Sequence, residues 1–166
     1  MKTLRGTQMT MKSLFGATSL AFVLSATAGL ADNKETASVF YDLLSNPGDA
    51  AMVEAFQNAS TSEWISIGNY TGENKSRDAF IGQMGGFAQL MPDLDWAIQD
   101  MHEDGDTVVV RSRATGTPVA PFFGVDGQGR SFDILTIDIH EFEEGKIVRT
   151  YHVEDWATAL QQLSGK

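Results

Sequence analysis

The feature that most limits what this chain can fold into is the run from Ser131 to Glu154, "SFDILTIDIHEF" and "KIVRTYHVE", two stretches of β-formers joined through Glu143-Glu144-Gly145. Alternation over this length has the two-residue period of a strand with unlike faces, and the short polar join makes the pair a hairpin. One face of the first strand carries Leu135, Ile137 and Ile139; the other carries Thr136, Asp138, His140 and Phe142. A two-residue turn at Glu144-Gly145 would require positive φ at Glu144, which a side chain with a β-carbon resists. A three-residue loop with Gly145 left-handed is therefore expected. That loop pairs Phe142 with Lys146 and Asp138 with Thr150, and it makes Asp138 and His152 diagonal neighbours on one face, roughly 7–8 Å apart at Cα.

Asp138 and His152 have two readings. As a general acid/base dyad, the carboxylate orients the imidazole or itself takes a proton, in a pocket where burial moves both groups toward working pH. As a structural feature, they belong to the solvated face of an antiparallel sheet, and on residues alone this second reading is slightly favoured. His140, His152 and Asp138 also have the composition of a three-ligand metal site. Histidine pairs on neighbouring strands are common without metal, however, and neither a metal nor a cofactor is expected. Three further residues are placed near a substrate: Trp64 as a cavity wall, His140 beside the pair, and Asp155 at its rim. Each has a simpler role available, in the core for Trp64 and as a helix cap for Asp155. Tyr151 and Trp156 read as packing residues, and Phe122-Phe123-Gly124 as either a lid or a loop pinned by two rings.

The rest of the chain supplies the layers. Val39, Phe40, Leu43 and Leu44 give "ETASVFYDLLS" the rhythm of a one-sided helix, and Asp49 can cap a short second helix through Phe56. "EWISIGNY" is extended, and a helix is expected from near Ser76 until just before Pro92. "LDWAIQDMHEDGDTVVVRSRATGT" alternates about an Asp-Gly turn and predicts another hairpin. "PVAPFFGVDGQGR" is a loop, and "DWATALQQL" a closing helix capped by Asp155. Helices first and long antiparallel strands afterwards indicate an α+β fold with helices on one face of a curved sheet.

The first 31 residues are of another kind. Met11-Lys12, the apolar run "LFGATSLAFVL" and the small residues of "SATAGLADN" have the layout of a secretory signal peptide, with cleavage after Ala31 or Ala28. The run is too short for a membrane anchor, so a periplasmic or secreted domain from residue 32 to 166 is expected. The chain has 12 basic and 22 acidic residues. Losing Lys2, Arg5 and Lys12 with the leader takes the formal charge from −10 to −13, which disfavours nucleic acid and anionic membranes as partners. There is no cysteine, so burial and hydrogen bonding alone must hold the fold.

Taken in order, "MPDLDW", "DGDTVVVRSRATGT", "FFGVDGQGRSF", "DIHEFEEGKIV" and "DWATALQQL" resemble the SnoaL-like polyketide cyclase, or ester cyclase, group of the nuclear transport factor 2-like superfamily, from about Glu35 to Leu163. The resemblance implies a cone in which a strongly bent sheet wraps a pocket closed by N-terminal helices, in a homodimer that binds a small hydrophobic molecule. It also implies cofactor-free acid/base chemistry by a carboxylate and a histidine on the last hairpin, removing a proton next to a carbonyl so that the enolate closes a ring. The position that is histidine in those cyclases falls on Asp138, and their catalytic aspartate falls on His152, so the two residue types are present in exchanged order. The loop "GVDGQGR" also departs from the group, which commonly has two prolines there. The same fold carries binding modules without catalysis, which is the alternative expectation.

Overall fold

The computed structural model describes residues 32–166; the leader assigned to residues 1–31 lies outside the described residues. Helix α1 (Asn33–Ser45) buries Phe40, Tyr41, Leu43 and Leu44, and Asp32 caps it through the Lys34 N–H. Asp49 caps α2 (Ala50–Ala59) in the same way, through Ala51. After β1 (Ser60–Ile67) and the two-residue β2 (Lys75–Ser76), α3 (Arg77–Leu90) starts on the Ser76 cap and runs unbroken through Gly85-Gly86. Two hairpins follow, β3 (Asp95–Asp104) with β4 (Thr107–Gly116) and β5 (Phe132–Glu143) with β6 (Lys146–Glu154), and α4 (Trp156–Ser164) closes the chain on the Asp155 cap.

The six strands form one sheet in the order β2-β1-β6-β5-β4-β3. Every pair is antiparallel except β1 with β6. This is the α+β arrangement of helices over one face of a curved sheet that the alternation and the resemblance predict. Helix α1 lies against β3, α4 against β5, and α3 against β1. The core between the layers is aromatic: Phe40, Phe56, Trp64 and Phe80 are buried together, with the Trp64 ring 5.2 Å from Phe56 and 5.1 Å from Phe80.

The turn of the last hairpin corrects the expected register. Glu144 (φ 51°) and Gly145 (φ 75°) are both left-handed, so the turn has two residues and Glu143 pairs with Lys146. The twist of such a turn matches that of the strands, and this match outweighs the roughly 1 kcal/mol that left-handed backbone costs a non-glycine residue. A bulge then follows: Phe142 pairs with Ile147 but Glu141 with Arg149, so Val148 is the extra residue. Ile147 faces inward on odd numbering, and beyond the bulge Thr150, His152 and Glu154 face inward on even numbering. Asp138 therefore lies directly opposite His152, not diagonal to it. Without the bulge the same turn would pair Asp138 with Tyr151 and send His152 to the outer face.

Candidate functional site

The polar face of β5 is the inner one. Thr136, Asp138, His140 and Phe142 are buried, while Leu135, Ile137 and Ile139 look outward, so the reading of Asp138 as part of a wet sheet face is overturned. Between sheet and helices lies a cavity of about 310 Å³. One side is apolar, with Phe40 and Leu44 from α1, Phe80, Met84 and Phe87 from α3, and Trp96, Phe123 and Trp156. The other side is polar, with Asp138, His152 and Glu154 from the last hairpin, Ser66 from β1, Lys75 from β2, and Asn69; Gln83 of α3 also lines the cavity.

Asp138 is 2% exposed. Burial pushes its carboxyl up to about 7, against the Tyr41 hydrogen bond that lowers it; the charge of Glu154 adds to the rise and that of His152 opposes it. Tyr41 Oη donates to Asp138 Oδ2 at 2.9 Å and lies 3.1 Å from His140 Nε2. His140 Nδ1 is in turn 3.0 Å from Thr150 Oγ1, which accepts the Trp64 Nε1 proton at 3.1 Å.

The direction of every bond in this chain follows from its end. Tyr41 has one phenol proton and gives it to Asp138 Oδ2, so toward His140 Nε2 its oxygen can only accept. Burial pushes the His140 imidazole down to about 3, with the charge of His152 acting the same way, so the ring is neutral. A neutral ring with its hydrogen on Nε2 is bare at Nδ1 and accepts the Thr150 hydroxyl proton, while Thr150 Oγ1 takes the Trp64 N–H. Tyr41 stays a phenol, because burial and the neighbouring Asp138 charge both raise it. Four buried side chains thus stand behind one carboxyl oxygen with all donors pointing toward it.

His152 is held from the other side. Its Nδ1 lies 2.7 Å from Glu154 Oε1, and Glu154 Oε2 accepts the Trp156 Nε1 proton at 3.1 Å. Its Nε2 lies 2.9 Å from Ser66 Oγ. Burial lowers the His152 imidazole, but the hydrogen bond and charge of Glu154, helped by Asp138, outweigh this and leave it raised overall. No side chain crowds the ring from Gly68, where a β-carbon would sit 2.8 Å from His152 Cε1 and 2.9 Å from Nε2.

Of the five residues singled out in the sequence, Asp138 and His152 meet at the cavity and the other three do not line it. Trp64 is fully buried among phenylalanines, with its N–H spent on Thr150. His140 is fully buried behind Asp138, with both nitrogens engaged. Asp155 caps α4 from the surface, through the Thr158 N–H and hydroxyl. Trp156, read as packing, lines the cavity and orients Glu154. The two phenylalanines of the loop separate: Phe122 is buried and Phe123 is exposed at the cavity. Tyr41, Ser66 and Glu154 were missed. Glu154 had a signal, because two residues after His152 is the same strand face. Tyr41 had a weaker one, as the polar tip within the buried stripe of α1.

The family model of the SnoaL-like polyketide cyclases matches residues 35–163. The chain belongs to the SnoaL-like polyketide cyclase family, and membership supports small-molecule chemistry of the cyclase type. Solved structures agree on the fold. A protein described as a SnoaL-like polyketide cyclase from Jannaschia sp. CCS1 superposes with a TM-score of 0.69 at 20% identity, over 81% of this chain and 92% of that one. IdmH from Streptomyces antibioticus, described as a polyketide cyclase, gives 0.69 at 24% identity, over 80% and 98%. AclR from Streptomyces galilaeus, described as a hydroxylase, gives 0.68 at 18% identity, over 82% and 83%. No curated protein sequence matches the chain significantly.

Proposed function

We propose that this protein is a secreted or periplasmic enzyme that moves protons on a hydrophobic carbonyl or ester compound without a cofactor, with Asp138 as the base and His152 as its acid partner. The observation that carries the reading is a nearly inaccessible carboxyl raised to about 7 at the polar end of an otherwise aromatic cavity. A group balanced at that point both takes and returns a proton near neutral pH, where an ordinary aspartate would be too weak a base. A carbonyl compound seated with its apolar part against Phe40, Phe80 and Trp156 would offer its α-hydrogen to Asp138. In its protonated form His152, facing Asp138 across the hairpin, would supply a proton to the oxygen as the enolate forms.

Export rests on the layout of residues 1–31, and a homodimer on the apolar strip of the outer sheet face, where Leu135 (51%), Ile137 (38%), Ile139 (37%) and Val153 (61%) stand exposed. Such a strip is larger than isolated surface leucines and valines account for. The catalytic reading is tested by a thermal-shift and turnover screen of hydrophobic carbonyl compounds, with α-hydrogen exchange in D₂O as the most direct readout. Asp138→Asn and His152→Ala should each lose about 10²–10⁴-fold in rate. Unchanged rates in both variants would remove the dyad, and ligand-induced stabilisation with no turnover would make the protein a binding module instead.

A further inference from the structure

Around His152 the structure holds an arrangement that proton transfer at carbon does not use. Ser66 Oγ lies 2.9 Å from His152 Nε2, and Glu154 Oε1 lies 2.7 Å from Nδ1. The three side chains are the nucleophile, base and orienting acid of a serine hydrolase in their required order, since such triads are recognised by geometry and not by chain position. The hydrogen positions agree: the Glu154 carboxylate accepts from Nδ1, and the deprotonated form of the ring, which nucleophile activation uses, presents a bare Nε2 to the Ser66 hydroxyl. Ser66 lines the cavity with His152 and Glu154. The Trp156 N–H fixes the second oxygen of Glu154. Lys75 pairs with Ser66 across β1 and β2 and lines the same cavity, which brings a cation to the wall where an oxyanion would form.

We propose that Ser66, His152 and Glu154 form a nucleophilic triad that gives this cavity a second activity, hydrolysis of small hydrophobic esters through an acyl-enzyme on Ser66. Ser66 Oγ attacks the ester carbonyl carbon while its proton passes to His152 Nε2, and the carbonyl electron pair moves to oxygen. Collapse of that intermediate breaks the bond to the alkoxide, which takes the proton from Nε2 and leaves as the alcohol. Water then attacks the acyl group, gives its proton to Nε2, and the second collapse releases the carboxylic acid as Ser66 Oγ recovers a proton. The sum is ester plus water giving acid plus alcohol. Glu154 keeps Nδ1 protonated throughout, and the aromatic wall sets the preference for an apolar acyl or alkyl group.

The test is a reaction of the wild-type protein with an alkyl fluorophosphonate, followed by intact-mass and peptide mass spectrometry, beside hydrolysis of 4-nitrophenyl butyrate. One phosphonyl group should be gained on the peptide containing Ser66. Labelling and hydrolysis should both vanish in Ser66→Ala and fall by about 10²-fold or more in Glu154→Gln. No adduct, an adduct on another residue, or wild-type ester hydrolysis by Ser66→Ala would each overturn the proposal. The wild-type labelling decides without relying on any variant to fold. Because phosphonylation needs no proton taken from carbon, labelling at Ser66 with no α-hydrogen exchange would sink the acid/base reading and leave this one standing; exchange without labelling would do the reverse.

Discussion

At the scale of single residues, the protein maintains one costly group. A buried Asp138 raised to about 7 from an ordinary 3.8 binds a proton in the folded state that the unfolded chain has already released. Between about pH 4 and pH 7 the folded form therefore holds more protons, and stability falls as pH rises through that window, flattening above it. An asparagine in place of Asp138 would keep the Tyr41 hydrogen bond and would not titrate. Asp138→Asn should accordingly melt close to wild type near pH 4 and several degrees above it at pH 8, a gap on the order of a few kcal/mol, while losing activity. Melting curves at the two pH values check this, and a variant equally or less stable at pH 8 would contradict the assignment. That Asp138 and His152 share one strand face was legible from strand parity, while their burial was not. Tyr41, which acts on Asp138, was hidden because no local pattern links α1 to β5, 97 positions away.

At the scale of elements, the site depends on how β1, β5 and β6 are joined. The turn expected from Glu144 was wrong by one residue, and the bulge at Val148 was not expected. Together the two displace the pairing by two positions, which is an even number, so Asp138 and His152 still share a face. The end of β1 matters as much, because Gly68 leaves room for the His152 ring, and Ser66 meets that ring's Nε2. In Gly68→Ala the β-carbon must push the ring away from Ser66. Turnover should drop by about 10²-fold, as for other small misplacements of reacting groups, with a melting temperature within a few degrees of wild type. Steady-state kinetics beside a thermal melt would check this, and unchanged kcat would show that the ring has room to spare. Trp64 and His140 also belong at this scale: they were expected at the substrate and instead form the hydrogen-bond chain that ends on Asp138.

At the scale of the whole molecule, the middle of β5 has two faces with opposite duties, Thr136, Asp138 and His140 turned in and the apolar Leu135, Ile137 and Ile139 turned out. That inversion is the strongest reason to expect a second copy on the outer face. Protein recovered from the periplasm should begin at Asp32 or Gly29 and elute as a dimer in size exclusion with light scattering, and Ile137→Asp should elute as a monomer; a monomeric wild type would remove the dimer. The sequence by itself determined the order of the helices and the long strands, the caps at Asp49 and Asp155, the start of a helix near Ser76, and the two-sidedness of the last hairpin, because each of these is set by neighbours a few positions apart. Which side faces inward was left to the tertiary structure, since alternation is blind to inversion and an inner wall of Thr, Asp and His looks like a wet one until helices cover it. The structure also decided which polar groups meet, because Tyr41 reaches Asp138 and Ser66 reaches His152 through long-range packing and a one-residue bulge that no local propensity announces.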